Sequence, residues 1–310
     1  KYFLDNKEDD QPFFFWVGGL EPHRRYEYQA GVKFGGKKVE LIEKVPNYWP
    51  DSENVKTDIL DYAFEIEYFD SHVEIIINEL EKRNLLENTI IVVTSDNGMP
   101  FPRVKGQVFP YDNRLPLAIR WGEGIKNPGR VINDYVSFSD FAPTFLELAG
   151  IDLANHNMGD FSGMSWKSIF NDDPIQKKRN YMIIGKERHD VGRENDKGYP
   201  VRAIITDRFF YSLNFKPNRW PAGNPETGYL NTDGSPTKTE ILNLKREGAN
   251  GDYWNLAFGK RPEETLYDLK TDPNCITNIA SVDNKDSEPI GKRIAAGPSR
   301  IPRDTCWRGR

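Results

Sequence analysis

Cysteine is scarce in this 310-residue sequence, and long apolar runs are absent. The two cysteines, Cys275 and Cys306, can form one disulfide or remain two thiols, so a disulfide-rich scaffold is excluded. No stretch approaches the roughly 18 apolar residues of a membrane helix, and the sequence predicts no membrane span. It contains no Asn-x-Ser/Thr acceptor, which favours a bacterial origin. The first residues also lack the layout of a signal peptide.

An excess of positive charge is lacking too. The 42 Lys/Arg and 47 Asp/Glu residues leave a net charge of −5, which argues against general binding of nucleic acids. The length suggests one large domain or two unequal ones. Beyond about residue 195 the sequence changes to a predicted hairpin and to segments rich in Pro, Gly and Asn. We therefore predict an α/β domain over residues 1–195. An antiparallel subdomain with a tail is predicted over residues 196–310.

The stretch Asn88–Lys105 carries the first chemical signal. Its β-branched run, residues 90–94, predicts a strand buried on both faces in a parallel sheet covered by helices. Ligands of such sheets collect beyond the carboxyl ends of the strands, where Asp96 and Asn97 would lie. Carboxylate and amide oxygens are ligands that Ca²⁺ prefers. The alternative is an ordinary turn, because Asp-Asn-Gly is turn chemistry wherever it occurs.

Two more polar clusters follow predicted strands. His23 comes after the apolar segment Phe13–Val17, and His189 and Arg193 come after Tyr181–Gly185. An imidazole at a strand end can protonate a leaving group or bind an oxyanion. A surface loop is the alternative for each cluster alone. If three strand ends meet at one rim of the sheet, the clusters form one site.

A group of cations follows the Asp-Asn pair. The segment 101–130 carries six Lys/Arg and two Asp/Glu, among them Arg103, Lys105 and Arg114. Such a group can bind sulfate or phosphate, with arginine contacting two oxygens and lysine acting as a point charge. The alternative is a solvated loop. The remaining histidines, His72 and His156, are interpreted as structural or exposed.

Periodicity predicts the surrounding elements. Apolar residues three and four apart predict a helix over Thr57–Asn84, capped by Thr57 or Asp58, which would cross between two parallel strands. Val201–Thr206 and Phe209–Asn214 predict a hairpin closed by two polar residues. Leu115–Trp121 and Thr265–Leu269 each predict one more strand.

Five segments in this order resemble the type I sulfatases, in particular the sulfamidase group and its bacterial relatives: PFFFWVGGLEPHRR, IIVVTSDNGMPFPRVK, YVSFSDFAPTFLELAGI, YPVRAIITDRFFYSLNF and TLYDLKTDPNCITNIA. The resemblance implies an alkaline-phosphatase-like α/β fold, with a mixed, mostly parallel sheet flanked by helices. It also implies a smaller C-terminal antiparallel α+β domain. The expected activity is hydrolysis of sulfate esters or sulfamates of a sulfated saccharide.

The resemblance also implies one Ca²⁺ ion and a formylglycine nucleophile made from a C-x-[PA]-x-R motif. Six residues of this chain match positions with assigned roles in the family. These are Asp96 and Asn97 as metal ligands, His23 and Lys105 as catalytic groups, and His189 and Arg193 as saccharide-binding groups.

One departure from the family pattern is large, because the chain contains no C-x-[PA]-x-R motif. We therefore expect the nucleophile in an amino-terminal portion of the same sulfatase, acting as partner of this chain, which would be inactive alone. A bacterial protein of this kind is expected in the periplasm or secreted. Two alternatives stay open: a phosphatase or phosphodiesterase of the same superfamily, and a non-catalytic module that binds polyanions.

Overall fold

The computed structural model describes residues 1–8, 11–155, 158–175, 178–189, 193–223, 226, 232–249 and 251–280. Its α-helices are α1 (Tyr2–Asn6), α2 (Ala30–Lys33), α3 (Glu53–Glu81), α4 (Pro110–Asn113), α5 (Phe141–Leu148), α6 (Lys167–Phe170), α7 (Pro236–Arg246) and α8 (Tyr253–Phe258). Its strands are β1 (Ile91–Thr94), β2 (Leu117–Arg120), β3 (Tyr181–Lys186), β4 (Val201–Thr206), β5 (Phe209–Asn214) and β6 (Glu264–Asp268). Short 3₁₀ turns lie at Val39–Leu41, Phe138–Asp140 and Glu194–Asp196.

The long helix α3 confirms the predicted helix but begins earlier. Ser52 is its N-cap, and the Ser52 Oγ accepts a hydrogen bond from the Val55 amide at 3.3 Å. The predicted caps, Thr57 and Asp58, instead lie inside the helix and are buried. Serine, threonine and aspartate all suit the N-cap of a helix, so residue type does not choose among Ser52, Thr57 and Asp58. Asp58 is excluded as the cap because its side chain is buried against other segments.

The first sheet pairs β1 with β2 in antiparallel register, from Ile91 opposite Arg120 to Thr94 opposite Leu117. Both strands were predicted, but the predicted parallel crossover is not found in the described residues. The segment Phe13–Val17 forms no strand, and Trp16 is 80% exposed. Strand propensity alone does not form a strand, since a strand needs a neighbour to accept its hydrogen bonds.

The second sheet has the order β3-β4-β5-β6, with every neighbouring pair antiparallel. The predicted hairpin is present, and Thr206 closes its turn by accepting a hydrogen bond from the Phe209 amide at 2.9 Å. The strand β3 was predicted at the rim of the first sheet, but it pairs with β4 instead. Residues 181–186 thus share a sheet with strands that follow residue 195. The boundary at residue 195 stays a prediction.

Two buried clusters hold these elements together, and the segment 101–109 contributes to both. Phe101 and Val104 pack into the first cluster with residues of α3, α7 and α8. Val108 and Phe109 pack into the second cluster against the four-stranded sheet. The stretch that contains Lys105 is therefore fixed on both sides by apolar packing. None of the described helices combines the length and apolarity needed to cross a membrane.

Substitution of Phe101 tests this packing. Its side chain is fully buried, 4.8 Å from the Trp49 ring centre, with the Arg24 guanidinium over its face at 4.5 Å. Phe101→Ala should lower the free energy of unfolding by about 3–5 kcal/mol, measured by urea denaturation of the full-length protein. Phe34→Ala removes a ring that is 67% exposed and should change it by less than about 0.5 kcal/mol. Equal losses in the two variants would contradict the assigned packing.

Candidate active site

A cleft of about 320 Å³ lies where the segment 23–28 meets the start of α3 and the residues before α7. His23 is exposed at its wall. The His23 Nδ1 lies 2.8 Å from the Arg24 carbonyl oxygen. Because a carbonyl only accepts, Nδ1 carries a proton, and Nε2 is the nitrogen left to exchange a proton with a ligand. The lining residues are His23, Arg24, Arg25, Tyr26, Tyr28, Asp58, Asp61, Asp233, Gly234 and Pro236.

Arg24 anchors the segment that carries His23. Its guanidinium forms two parallel contacts with the Asp58 carboxylate, at 2.5 and 3.1 Å, and its Nε donates to the Pro100 carbonyl at 2.9 Å. Asp58 also accepts from the Thr237 amide and hydroxyl, at 3.2 and 2.5 Å. A buried ion pair is stable only when its remaining hydrogen-bonding groups are satisfied, and here they are.

Lys105 reaches the same cleft through a residue without a sequence signal. The Lys105 Nζ lies 2.8 Å from the Asp233 carboxylate, and Asp233 lines the cleft together with His23. One of the two residues predicted as catalytic groups, His23, thus lines the cleft, and the other, Lys105, is paired with a residue of the same cleft wall. Asp233 lies in a polar run before α7 whose pattern predicts only a turn.

The neighbouring cation Arg103 is not available to a ligand. It is 3% exposed, and its guanidinium donates to the carbonyls of Leu256, at 2.7 Å, and Cys275. The guanidinium also stacks on Phe109 at 4.1 Å from the ring centre. Its predicted place in an anion-binding group is therefore wrong. Burial also raises the pKa of the Cys275 thiol to about 12, while Cys306 lies outside the described residues.

Asp96 and Asn97 follow β1 as predicted, with Asp96 exposed and Asn97 half-buried. The turn after them is held by Asp112, whose carboxylate accepts from the Gly98 amide at 3.0 Å and from the Gln107 amide at 2.9 Å. Burial raises the pKa of Asp112 to about 6. Asp112, in the short helix α4, therefore ties the Asp-Asn pair to the Lys105 segment, a role that the sequence pattern does not reveal.

The structure gives different surroundings to His189 and Arg193, the two residues predicted to bind the saccharide. His189 contacts the turn after Lys105, since a Cβ on Gly106 would overlap its ring. Arg193 is only 6% exposed, and it donates to the carbonyls of Lys197, at 2.7 Å, and Trp220, at 2.9 Å. Only His189 thus adjoins the candidate site directly. Of the other histidines, His72 packs on Tyr68 in α3, and His156 lies outside the described residues.

Lys186, at the end of β3, holds the turn that follows Lys105. Its Nζ donates to the carbonyls of Gly106, at 2.5 Å, and Pro221, at 3.0 Å. Burial lowers the pKa of Lys186 to about 7. A neutral amine has two N–H donors, which match these two carbonyls.

Residues 1–151 match the family model described as Sulfatase. An ulvan-active sulfatase of Formosa agariphila is 30% identical over 319 residues, which cover 89% of this chain and 49% of that protein. The chain is a relative of the sulfatases. N-sulphoglucosamine sulphohydrolase of Homo sapiens is 26% identical over 302 residues, 88% of this chain and 57% of that protein.

The predicted resemblance is confirmed, and the chain spans about half the length of the curated relatives it matches. A solved structure from Bacteroides thetaiotaomicron, described by the metabolism of multiple glycosaminoglycans, superposes with a TM-score of 0.63 at 17% identity. It covers 92% of this chain and 53% of that one. At this identity the likeness shows the fold alone. The fold is that of the alkaline-phosphatase-like sulfatases, as predicted.

The pKa of Lys186 leads to a prediction on stability. Because its folded-state pKa lies below the ordinary value of 10.5, the folded state binds fewer protons between about pH 7 and pH 10. The free energy of unfolding should therefore increase as pH rises through this window and decrease as pH falls toward 7. Lys186→Met should remove this part of the slope, measured by denaturant unfolding at pH 7 and 9.5. Lys38→Met, at an exposed position, is the matched control. The assignment is contradicted by an unchanged slope in Lys186→Met.

Proposed function

We propose that this chain is part of a sulfatase that hydrolyses sulfate esters or sulfamates of a sulfated carbohydrate, such as a heparan-type glycosaminoglycan. The observation that carries the proposal is the His23 cleft, because Asp233 lines it and also binds Lys105 at 2.8 Å. A candidate proton donor therefore lines the cleft, and a candidate cation for an anionic oxygen is bound to a residue of its wall. The match of residues 1–151 to the Sulfatase model and the sulfatase relatives support the same reaction.

His23 is proposed to act as the acid of the reaction. With Nδ1 donating to the Arg24 carbonyl, the protonated Nε2 can give its proton to the leaving oxygen or nitrogen as its bond to sulfur breaks. Lys105 is proposed to exchange Asp233 for an oxygen of the sulfo group. A fixed cation there stabilises the charge that develops in the transition state. His189 is proposed to lie near the saccharide, and the buried Arg193 is proposed to act indirectly, by supporting the backbone of that region.

The donor atoms of Asp96 and Asn97 fit Ca²⁺, which takes six to eight oxygen ligands. Within the described residues no group of three or more His, Cys, Asp or Glu side chains could hold a metal ion. We therefore propose that these two residues supply part of a calcium site and that the other ligands come from elsewhere in the full-length protein. The bound ion would neutralise charge on the sulfo oxygens.

The residues of this chain do not fit a formylglycine. No C-x-[PA]-x-R motif occurs in the sequence, so no step through this group is assigned to these 310 residues. We propose that an amino-terminal portion of the same protein supplies the nucleophile. For a bacterial protein, the proposed location is the periplasm or the outside of the cell.

The experiment that tests the function is an assay of the full-length gene product on N-sulfo- and O-sulfo-glucosamine glycosides and on a phosphodiester. Release of sulfate supports the proposal. Cleavage of the phosphodiester alone would show a phosphodiesterase, since this fold hosts more than one chemistry. Binding of heparin without any turnover would show a non-catalytic polyanion-binding module.

Removal of the metal gives a second expected outcome. Asp96→Ala should raise the Ca²⁺ concentration needed for half-maximal activity, because the ion loses a charged ligand, and EDTA should abolish turnover. Asp70→Ala, an exposed carboxylate on α3, is the matched control and should behave as the wild type. Full activity of Asp96→Ala in calcium-free buffer would refute the metal assignment.

The role of His23 is separable from substrate binding. His23→Ala should lower kcat by about a hundredfold or more with a small change in KM, because a proton donor acts mainly in the transition state. Steady-state kinetics on the substrate identified above measure both constants. His72→Ala changes a histidine on α3 and should leave both constants unchanged. A pure KM effect of His23→Ala would argue against the acid role.

A further inference from the structure

Asp233 places a negative charge beside the cation that we assign to the sulfo group. Its carboxylate lies 2.8 Å from the Lys105 Nζ, and the same residue lines the cleft that carries His23. The side chains of Lys105 and Asp233 are only 13% and 21% exposed. An anion that binds Lys105 from the cleft therefore meets a carboxylate whose charge water screens only in part.

We propose that Asp233 selects the charge of the group that binds at Lys105. It favours a sulfo group, which carries one negative charge in an ester or a sulfamate, over the phosphoryl group of a monoester, which carries two above its second pKa. This inference rests on the proposed function. It adds a residue that discriminates against phosphate monoesters in the same cleft.

The backbone on both sides of Asp233 is fixed, so the carboxylate stays in the cleft wall when an anion binds. Thr232 is buried, and its carbonyl accepts from the Lys238 Nζ at 2.6 Å. Ser235 caps α7 by accepting from the Lys238 amide at 3.0 Å. Asp233 can thus release Lys105 to an anion while its own charge remains beside that anion.

Positive and negative side chains balance around the cleft. Two arginines and three aspartates line it, and Lys105 adds a third cation through its contact with Asp233. The attraction of a site for an anion grows in proportion to the charge of the anion, whereas the cost of removing the anion from water grows with the square of that charge. A lining with balanced charges therefore suits a group with one charge and does not compensate for a second. The charged lining residues besides His23 are Arg24, Arg25, Asp58, Asp61 and Asp233.

Asp233→Asn removes the charge of this side chain and keeps its size. Two ligands without a cleavable ester bond measure the effect on the full-length protein: phenylmethanesulfonate, a monoanion, and benzylphosphonate, a dianion at pH 9. Calorimetry at pH 9 should show that the wild type binds the phosphonate about tenfold more weakly than the sulfonate. Asp233→Asn should lower this ratio of dissociation constants about tenfold, because the dianion loses twice as much repulsion as the monoanion.

Two further variants serve as controls. Asp233→Glu keeps the charge and should keep the ratio of the wild type. Asp70→Asn removes an exposed carboxylate of α3 about 18 Å further along the helix axis than Asp58, and it should also keep that ratio. All other charges of the full-length protein are the same in these variants, so a change of the ratio reports the charge of Asp233.

The wild type provides a measurement that does not depend on the folding of a variant. At pH 6 benzylphosphonate is largely a monoanion, so the ratio of its dissociation constant to that of the sulfonate should fall toward one. The sulfonate is a monoanion at both pH values and corrects for the titration of His23. An equal ratio at pH 6 and pH 9 overturns the selection.

Three further outcomes also overturn the selection. One is a ratio in Asp233→Asn within about twofold of the wild type, whether or not both ligands bind more weakly. Another is a wild type that prefers the dianion at pH 9. The third is absence of binding of both ligands.

The binding measurement needs no turnover, so its failure is distinguishable from failure of the proposed function. If no substrate releases sulfate but the ratio changes as expected, the proposed function fails and the selection by Asp233 is supported. If sulfate is released and the ratio does not change, only the selection by Asp233 is overturned.

Discussion

The buried contact between Arg24 and Asp58 is the interaction on which the arrangement of the site depends. Both side chains are removed from water, and a lone charge in either position would be strongly destabilising. The pair is retained because the Pro100 carbonyl and Thr237 satisfy its remaining groups. Three segments far apart in the sequence are thereby joined at one point: the His23 segment, the start of α3 and the start of α7.

The same contact holds the walls of the cleft together. Arg24 and Asp58 both line the cleft, and α7, which contributes Pro236 to its wall, is bound to Asp58 through Thr237 in its first turn. The charges of the lining are mixed, since Arg24 and Arg25 lie among Asp58, Asp61 and Asp233.

The cations of this protein divide into two groups by their surroundings. The Arg103 guanidinium and the Lys186 amine are directed at backbone carbonyls in the interior, where they hold the Lys105 segment. Lys105 is half-buried and pairs with the carboxylate of Asp233, a residue that lines the cleft. Sequence patterns do not separate the two groups, because Arg103 and Lys105 stand two residues apart in the same polar loop. Only burial distinguishes a cation that supports the backbone from one that can bind an anion.

The sequence by itself determined most of the local structure: the helix α3, the strands β1 to β6, the hairpin turn and the resemblance to the sulfatases. Such features depend on periodicity and short motifs, which are local in the chain. The tertiary structure alone decided that β1 and β2 pair antiparallel, that β3 joins the second sheet and that Phe13–Val17 forms no strand. It alone placed Asp58, Asp112 and Asp233 at the site. Pairing and burial depend on contacts between distant residues, and an aspartate has the same sequence signature whether its side chain lies at the surface or anchors a distant segment.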